Sequence, residues 1–200
     1  LEDARRVIAA DAAAVAAAAT ALGDPFVRCC DTLVRCTGKV LVTGSGTSGA
    51  IAGRAAHLLS VGGTPAFHLS PNDGLHGGLG VLRPDDIVIA LSKGGSSQEL
   101  NEFCRRARAL ASCLIVITAA PQSELALSAD HVLTLTLPPD SDLGGVIATG
   151  SSLAAAALLD ALVDACRIAR GYGWDQVLDT HPAGAVGRDA AEARQRLQNG

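Results

Sequence analysis

The chain has 200 residues, 48% of them hydrophobic and 18% charged, with a formal net charge of −4. That length sets one well-buried domain as the expectation and leaves too little chain for two. The mild acidity, with no basic stripe to neutralise phosphates, argues against nucleic acid and acidic membranes as partners.

Aromatic residues make up only 2%, so the core must be built from Ala, Leu, Val and Ile. Cys29, Cys30, Cys36, Cys104, Cys113 and Cys166 lie in apolar, regular segments with no C-x-x-C pair. They read as small buried thiols of a reducing compartment, not as a disulfide framework. Glu2, Asp3, Arg5 and Arg6 interrupt any hydrophobic signal region. The alanine-rich run that follows contains Asp11 and falls short of the roughly 20 apolar residues a bilayer requires. Cytoplasm is the expected compartment.

In chain order, residues 1–22 read as an Ala-rich helix stopped by Gly23 and by Pro25 just beyond. A second helical stretch covers about 25–36. Val40, Leu41 and Val42 form a short β-branched run ending in glycine, followed by a helix over about 48–59. Residues 66–69 read as a strand, and 87–91 as a buried strand with a helix near 97–110 behind it. Arg105, Arg106 and Arg108 fall on the face this helix should present to solvent. Residues 114–117 and 132–137 are the next strands, separated by a short helix near 123–128. A long helix over about 151–170 closes the pattern, with Gly171 as its C′ residue. Continuous apolar strands alternating with helices predict a parallel sheet covered on both faces. In such sheets ligands sit outside the carboxyl ends of the strands, where strand order reverses. No linker, repeat or low-complexity insertion appears, so residues 1–200 are expected to form a single domain.

Two loops after strands carry candidate chemistry. Gly44-Ser45-Gly46-Thr47-Ser48-Gly49 matches G-x-G-x-x-G, which permits a tight turn and offers free helix N–H groups to an anion. Dinucleotide binding expects an acid about 20 positions further on. The next strand instead ends in Phe67-His68-Leu69-Ser70, and no G-K-[ST] marks a Walker loop. Taken alone, a simple strand-to-helix turn explains this loop as well as a ligand does. Ser92-Lys93-Gly94-Gly95-Ser96-Ser97-Gln98-Glu99 is the stronger signal. Three hydroxyls, two glycines and a helix N-terminus converge as a phosphate monoester needs. Ser96-x-x-Glu99 also reads as a capping box, and the cap is the preferred role for Glu99.

The chain resembles the SIS (sugar isomerase) domain family, and within it the arabinose-5-phosphate isomerase type, from about Val40 to Arg188. The likeness rests on the two loops, on residues 70–80 (SPNDGLHGGLG), on 118–123 (TAAPQS) and on 181–188 (HPAGAVGR). It implies a three-layer αβα sandwich with a five-stranded parallel sheet, of the flavodoxin-like or Rossmann-like kind. N-terminal helices would occupy 1–38 and a phosphosugar-binding core 39–188. It also implies oligomers, homodimer or homotetramer, with active sites between subunits. Ser48, Ser92 and Ser97, with the Gly94-Gly95 backbone, would hold a sugar phosphate. The paired nucleotide-sensing (CBS) modules of many relatives are not expected in the dozen residues after Arg188.

Aldose–ketose isomerisation needs a base to move a proton between adjacent carbons and groups that stabilise an enediolate. The family pattern carries a lysine where this chain has Thr47, a glutamate at Ser96 and another at Gln122. Asp73 replaces a further glutamate, and Gly78 an aspartate. Lys93 stands where the family usually has asparagine and would return a cation to the phosphate. The expected substrate-binding set is Gly46, Thr47, Ser48, Asp73, Ser92, Lys93, Gly94, Gly95, Ser96 and Ser97. His181 and His76 are the expected catalytic pair, since an imidazole titrates near neutrality. His57, His68 and His131 read as helix-face or strand residues, and no metal or other cofactor is called for. The expected function is a sugar-phosphate isomerase; the alternative is a phosphosugar sensor or regulatory module that keeps the cradle without the reaction. Leu153, Leu158, Leu159, Leu162 and Val163 read as a face buried against another subunit.

Overall fold

A computed structural model of the chain describes residues 1–182 and residue 195. The glycine-rich segment 183–188 lies outside the described residues. Five strands, β1 (Val40–Gly44), β2 (Ala66–His68), β3 (Ile87–Leu91), β4 (Cys113–Thr118) and β5 (His131–Thr134), form one parallel sheet. Their order is β2-β1-β3-β4-β5. That is the flavodoxin-like doubly wound order, whose direction reverses between β1 and β3.

The three central strands β1, β3 and β4 are almost wholly buried because both of their faces are covered, while the edge strands β2 and β5 are largely half-buried. Val40, Val42, Ile87, Ile89, Leu91, Ile115, Ile117 and Leu133 point to one side. There they meet α1 (Glu2–Ala17), α2 (Asp24–Arg35), α3 (Thr47–Val61) and α7 (Gly150–Ala169). Leu41, Val88, Ala90, Leu114 and Val116 point to the other, onto α5 (Gln98–Ala107), α6 (Glu124–Leu127) and the 3₁₀ turn Gly78–Val81. The alternation is the period of two that a strand imposes. α4 (Pro71–Leu75) packs on α5 so closely that a side chain at Gly74 would overlap the Phe103 ring. With few aromatics available, alanine lets helices approach the sheet and each other: Ala52, Ala55 and Ala56 of α3, and Ala154 and Ala155 of α7, are buried. Gly171 ends α7 at φ +65°, as its C′ position requires.

The leucines of α7 correct one expectation. Leu158, Leu159 and Leu162 are at most 2% exposed, packed within this chain between the sheet and the N-terminal helices. α1, α2 and α3 together cover these three, while Val163 is half-buried and Leu153 and Ile168 are exposed. Three elements were not legible in the sequence: α4, the Gly78–Val81 turn and α8 (Trp174–Asp179). Among the described residues no single helix is long and apolar enough to span a membrane.

Candidate functional site

Gly44 and Leu91 are register partners at the carboxyl ends of β1 and β3. The two glycine-rich loops therefore leave the sheet side by side at the point where strand order reverses, where ligands of such sheets bind.

The first loop turns at Gly46, whose φ of +57° and ψ of −129° suit only glycine, and whose missing Cβ faces open space. α3 begins immediately after it with no side-chain cap. Ser48 lines the small cavity beside the second loop, whereas Thr47 is exposed and lines neither cavity. Gly44 and Gly49 serve the turn itself, since a side chain on either would press into the loop's own backbone.

The second loop is held by its own hydroxyl. Ser92, 8% exposed, accepts the Gly95 N–H at 3.0 Å, and Gly95 sits at φ +63° against Ser123. Thr118 Oγ1 donates to the Lys93 carbonyl at 3.1 Å, and Asn101 Nδ2 to the Gly95 carbonyl at 3.3 Å. Ser97 is the N-cap of α5, yet its hydroxyl makes no cap bond. Ser97 is half-buried and lines neither cavity beside the loops. The capping box expected of Ser96 and Glu99 does not form, because α5 starts one residue later than that pattern requires.

Glu99 instead turns toward the first loop. Ser45 Oγ is buried and has no well-formed hydrogen bond within the chain. That hydroxyl beside Glu99 is the main cause holding its carboxyl below the ordinary glutamate value, with the Glu99 N–H second. Glu99 is therefore an ionised carboxylate beside the first loop at neutral pH.

Other expected site residues have local partners. Asp73 accepts the Ser70 hydroxyl at 2.6 Å while Ser70 caps α4 by accepting the Asp73 N–H at 3.1 Å. His76 is exposed at the C-cap of α4. His181 follows α8, and its Nδ1 lies 2.6 Å from the Val177 carbonyl. A carbonyl only accepts, so Nδ1 carries the proton and Nε2 is left as the basic nitrogen. His181 lines neither cavity beside the two loops. The chain brings Ser48, Ser92 and Lys93 together around one small cavity, and Gly94, Gly95 and Ser96 along a second of about 580 Å³ that continues to Arg105 and Ser123.

Lys93 Nζ is bound at 2.6 Å to Asp142, whose side chain is 3% exposed. Asp142 also accepts the Ser151 N–H and hydroxyl, at 2.9 and 2.8 Å. Burial pushes the Asp142 carboxyl up, but Lys93 and the two Ser151 donors overcome it and leave the group below its usual value. Neither Asp142 nor Ser151 was singled out from the sequence. They lie far from Lys93 along the chain, and only the fold brings them together.

The SIS domain pattern matches residues 33–165. The chain belongs to the SIS domain family. Arabinose 5-phosphate isomerase KdsD of Yersinia pestis is 35% identical over 167 residues, covering 84% of this chain and 51% of that protein. Arabinose 5-phosphate isomerase GutQ of Escherichia coli K12 is 36% identical over 166 residues, covering 83% and 52%. The chain thus spans about half the length of the curated relatives it matches. Among solved structures, a putative sugar-phosphate isomerase of Listeria monocytogenes superposes with a TM-score of 0.86 at 31% identity, covering 91% of this chain and 96% of that one. A protein of E. coli CFT073 in complex with arabinose 5-phosphate superposes with a TM-score of 0.86 at 26% identity, covering 90% and 96%. The αβα architecture with its five-stranded parallel sheet is the SIS fold.

Proposed function

We propose that this SIS domain binds a sugar phosphate between the two loops and interconverts its aldose and ketose forms. The observation that carries the reading is the juxtaposition of the two loops at the switch point. Ser48 and the Ser92-anchored turn border one cavity there, and the uncapped Ser97 opens α5 at the end of the same loop. Backbone N–H groups and hydroxyls suit a phosphate monoester, which needs many donors and little bulk. Likeness to arabinose 5-phosphate isomerases supports the reaction class.

On this reading Ser48, Ser92, Ser97 and the Gly94–Gly95 backbone hold the phosphate, with Gly46, Thr47 and Ser96 lining the approach. Proton transfer falls to His181 through Nε2, with His76 as the second imidazole. The described bonds of His181 keep it at the end of α8, so its route to a cradle is from a neighbouring subunit. That fits the sites between subunits that the family resemblance implies. Asp73, tied to Ser70, orients the segment carrying His76.

A second reading, a phosphosugar-binding module without turnover, is favoured by one feature: Thr47, Ser96 and Gln122 offer neither cation nor carboxylate where the family pattern has them. Two measurements separate the readings. A thermal-shift panel of pentose, hexose and heptose phosphates tests the cradle, since a ligand at a hundredfold excess over its Kd adds about 2.7 kcal/mol of stability. A coupled isomerase assay on the esters that bind tests the chemistry. Binding without turnover on any of them defeats the isomerase reading.

A further inference from the structure

Of the chain's 16 basic residues only Lys39 and Lys93 are lysines. Each lies 2.6 Å from an aspartate nearly sealed from solvent, Asp86 at 2% and Asp142 at 3% side-chain exposure. The pairs sit at opposite ends of the sheet. Lys39–Asp86 lies at the amino ends of β1 and β3, where Asp86 also accepts the Lys39 and Arg83 N–H groups at 2.9 and 2.8 Å. That pair closes a turn and involves no cavity between the loops.

Lys93–Asp142 lies at the carboxyl ends, inside the second loop. An ammonium carries three donors. Among the described residues Asp142 is the one acceptor of Lys93, so two donors remain. The Lys93 side chain is 45% exposed and borders, with Ser48 and Ser92, the small cavity between the loops and the head of α7. Asp142 cannot easily release it, because its carboxylate would then be left buried without its cation. Ser151, bonded to both carboxylate oxygens, fixes Asp142 in turn to the start of a 20-residue helix.

Resting on the reading of the loops as a phosphosugar cradle, we propose that Lys93 contacts the ligand phosphate and that Asp142, tied to Ser151, is the residue that positions it. The pair gives the cradle a cation where Thr47 supplies none. Because Asp142 holds the flexible stem in the free protein, its rotamer freedom is lost on folding and not on binding.

Having only two lysines makes the test direct. Wild-type protein is acetylated with an amine-reactive reagent, with and without arabinose 5-phosphate, and Lys93 is compared with Lys39 by peptide mass spectrometry. The ester is expected to slow Lys93 labelling severalfold and to leave Lys39 unchanged. Lys93→Gln should weaken its binding by about tenfold, the worth of one charge-assisted hydrogen bond. Asp142→Asn should speed Lys93 labelling in the free protein and weaken binding by about threefold through the unanchored stem. In a Lys93→Gln background Asp142→Asn should have no further effect on binding, whereas a merely structural aspartate would act equally in both backgrounds. Should Asp142→Asn not fold, Ser151→Ala keeps the ion pair, loosens Asp142, and is held to the same two criteria. An unprotected Lys93 in protein that binds the ester overturns this proposal and leaves the cradle standing. Tighter binding by Asp142→Asn also overturns it, making Asp142 a repelling charge. Failure of wild-type protein to bind the ester or inorganic phosphate removes the cradle, and the proposal with it.

Discussion

Gly95 stands so close to Ser123 that a Cβ built on it would overlap the serine side chain. The position also requires φ +63°. Gly95→Ala therefore combines a left-handed backbone cost of about 1–2 kcal/mol with a collision that can be relieved only by moving the second loop. Gly46→Ala carries the conformational cost alone, since its Cβ would face open space. Both variants should lose phosphosugar affinity, but Gly95→Ala should be the less stable in urea denaturation. Equal stability of the two would show that Ser123 yields freely.

Ser92 and Ser97 should separate structure from binding. The Ser92 hydroxyl is buried and organises the turn through Gly95, so Ser92→Ala is expected to cost about 1 kcal/mol of stability as well as affinity. Ser97 makes no cap bond, so Ser97→Ala should leave the melting temperature within a degree or so, on the order of a few tenths of a kcal/mol. Its affinity for a phosphate ester should still fall. A marked drop in the melting temperature of Ser97→Ala would return the residue to an ordinary helix cap.

Acid stability should depend on the two buried aspartates. Burial raises the Asp86 carboxyl, and the Lys39 ammonium with the Lys39 and Arg83 N–H groups more than reverse it, leaving the group below its usual value. Asp142 follows the same pattern. A carboxyl lowered in the folded state is protonated first in the unfolded chain as pH falls. Its stabilisation is therefore complete above the usual aspartate range and is lost as pH drops through the folded value. Asp86→Asn should lose on the order of 1–3 kcal/mol at pH 7, because the Lys39 and Arg83 N–H groups lose a charged acceptor while the Lys39 ammonium, on a side chain 32% exposed, can turn to solvent. Its denaturation midpoint should vary less than wild type between neutral and strongly acidic pH. An unchanged pH profile would mean that Asp86 does not carry the acid transition.

Three of the six thiols should be silent in the folded protein. Burial pushes Cys29, Cys104 and Cys166 up to about 12, so almost no thiolate exists at pH 8. A thiol-reactive chromophore should register these three only after denaturant is added. Rapid native labelling of Cys104, which lies on the α5 face of the sheet, would reveal local opening of that layer.

Much of the fold was legible because its strands are buried on both sides. The unbroken runs at β1, β3 and β4 leave no solvent-facing alternation, which points to a parallel sheet and from there to loops at its carboxyl edge. Local signals also located Gly171 and the serine-rich turn. What was missed depends on distance along the chain. Glu99 reads as a cap because Ser96 lies three residues before it, but α5 begins one residue later, and the carboxylate instead lies beside Ser45 of another strand's loop. Lys93 was expected as a cation near the phosphate, but its anchor Asp142 comes from the segment leading into α7. The leucines of α7 suggested a partner subunit, since the sequence does not reveal that α1, α2 and α3 all pack on one helix. α4 and α8 are too short for periodicity to register.

The central claim is met most directly by following arabinose 5-phosphate with the wild-type protein in heavy water by NMR. Proton transfer through a protein base should convert the aldose to its ketose and place solvent deuterium on the carbon adjoining the carbonyl, and Ser92→Ala should slow both. Bound ester that remains aldose, with no deuterium incorporated over prolonged incubation, would contradict isomerisation and leave the loops as a site for binding alone.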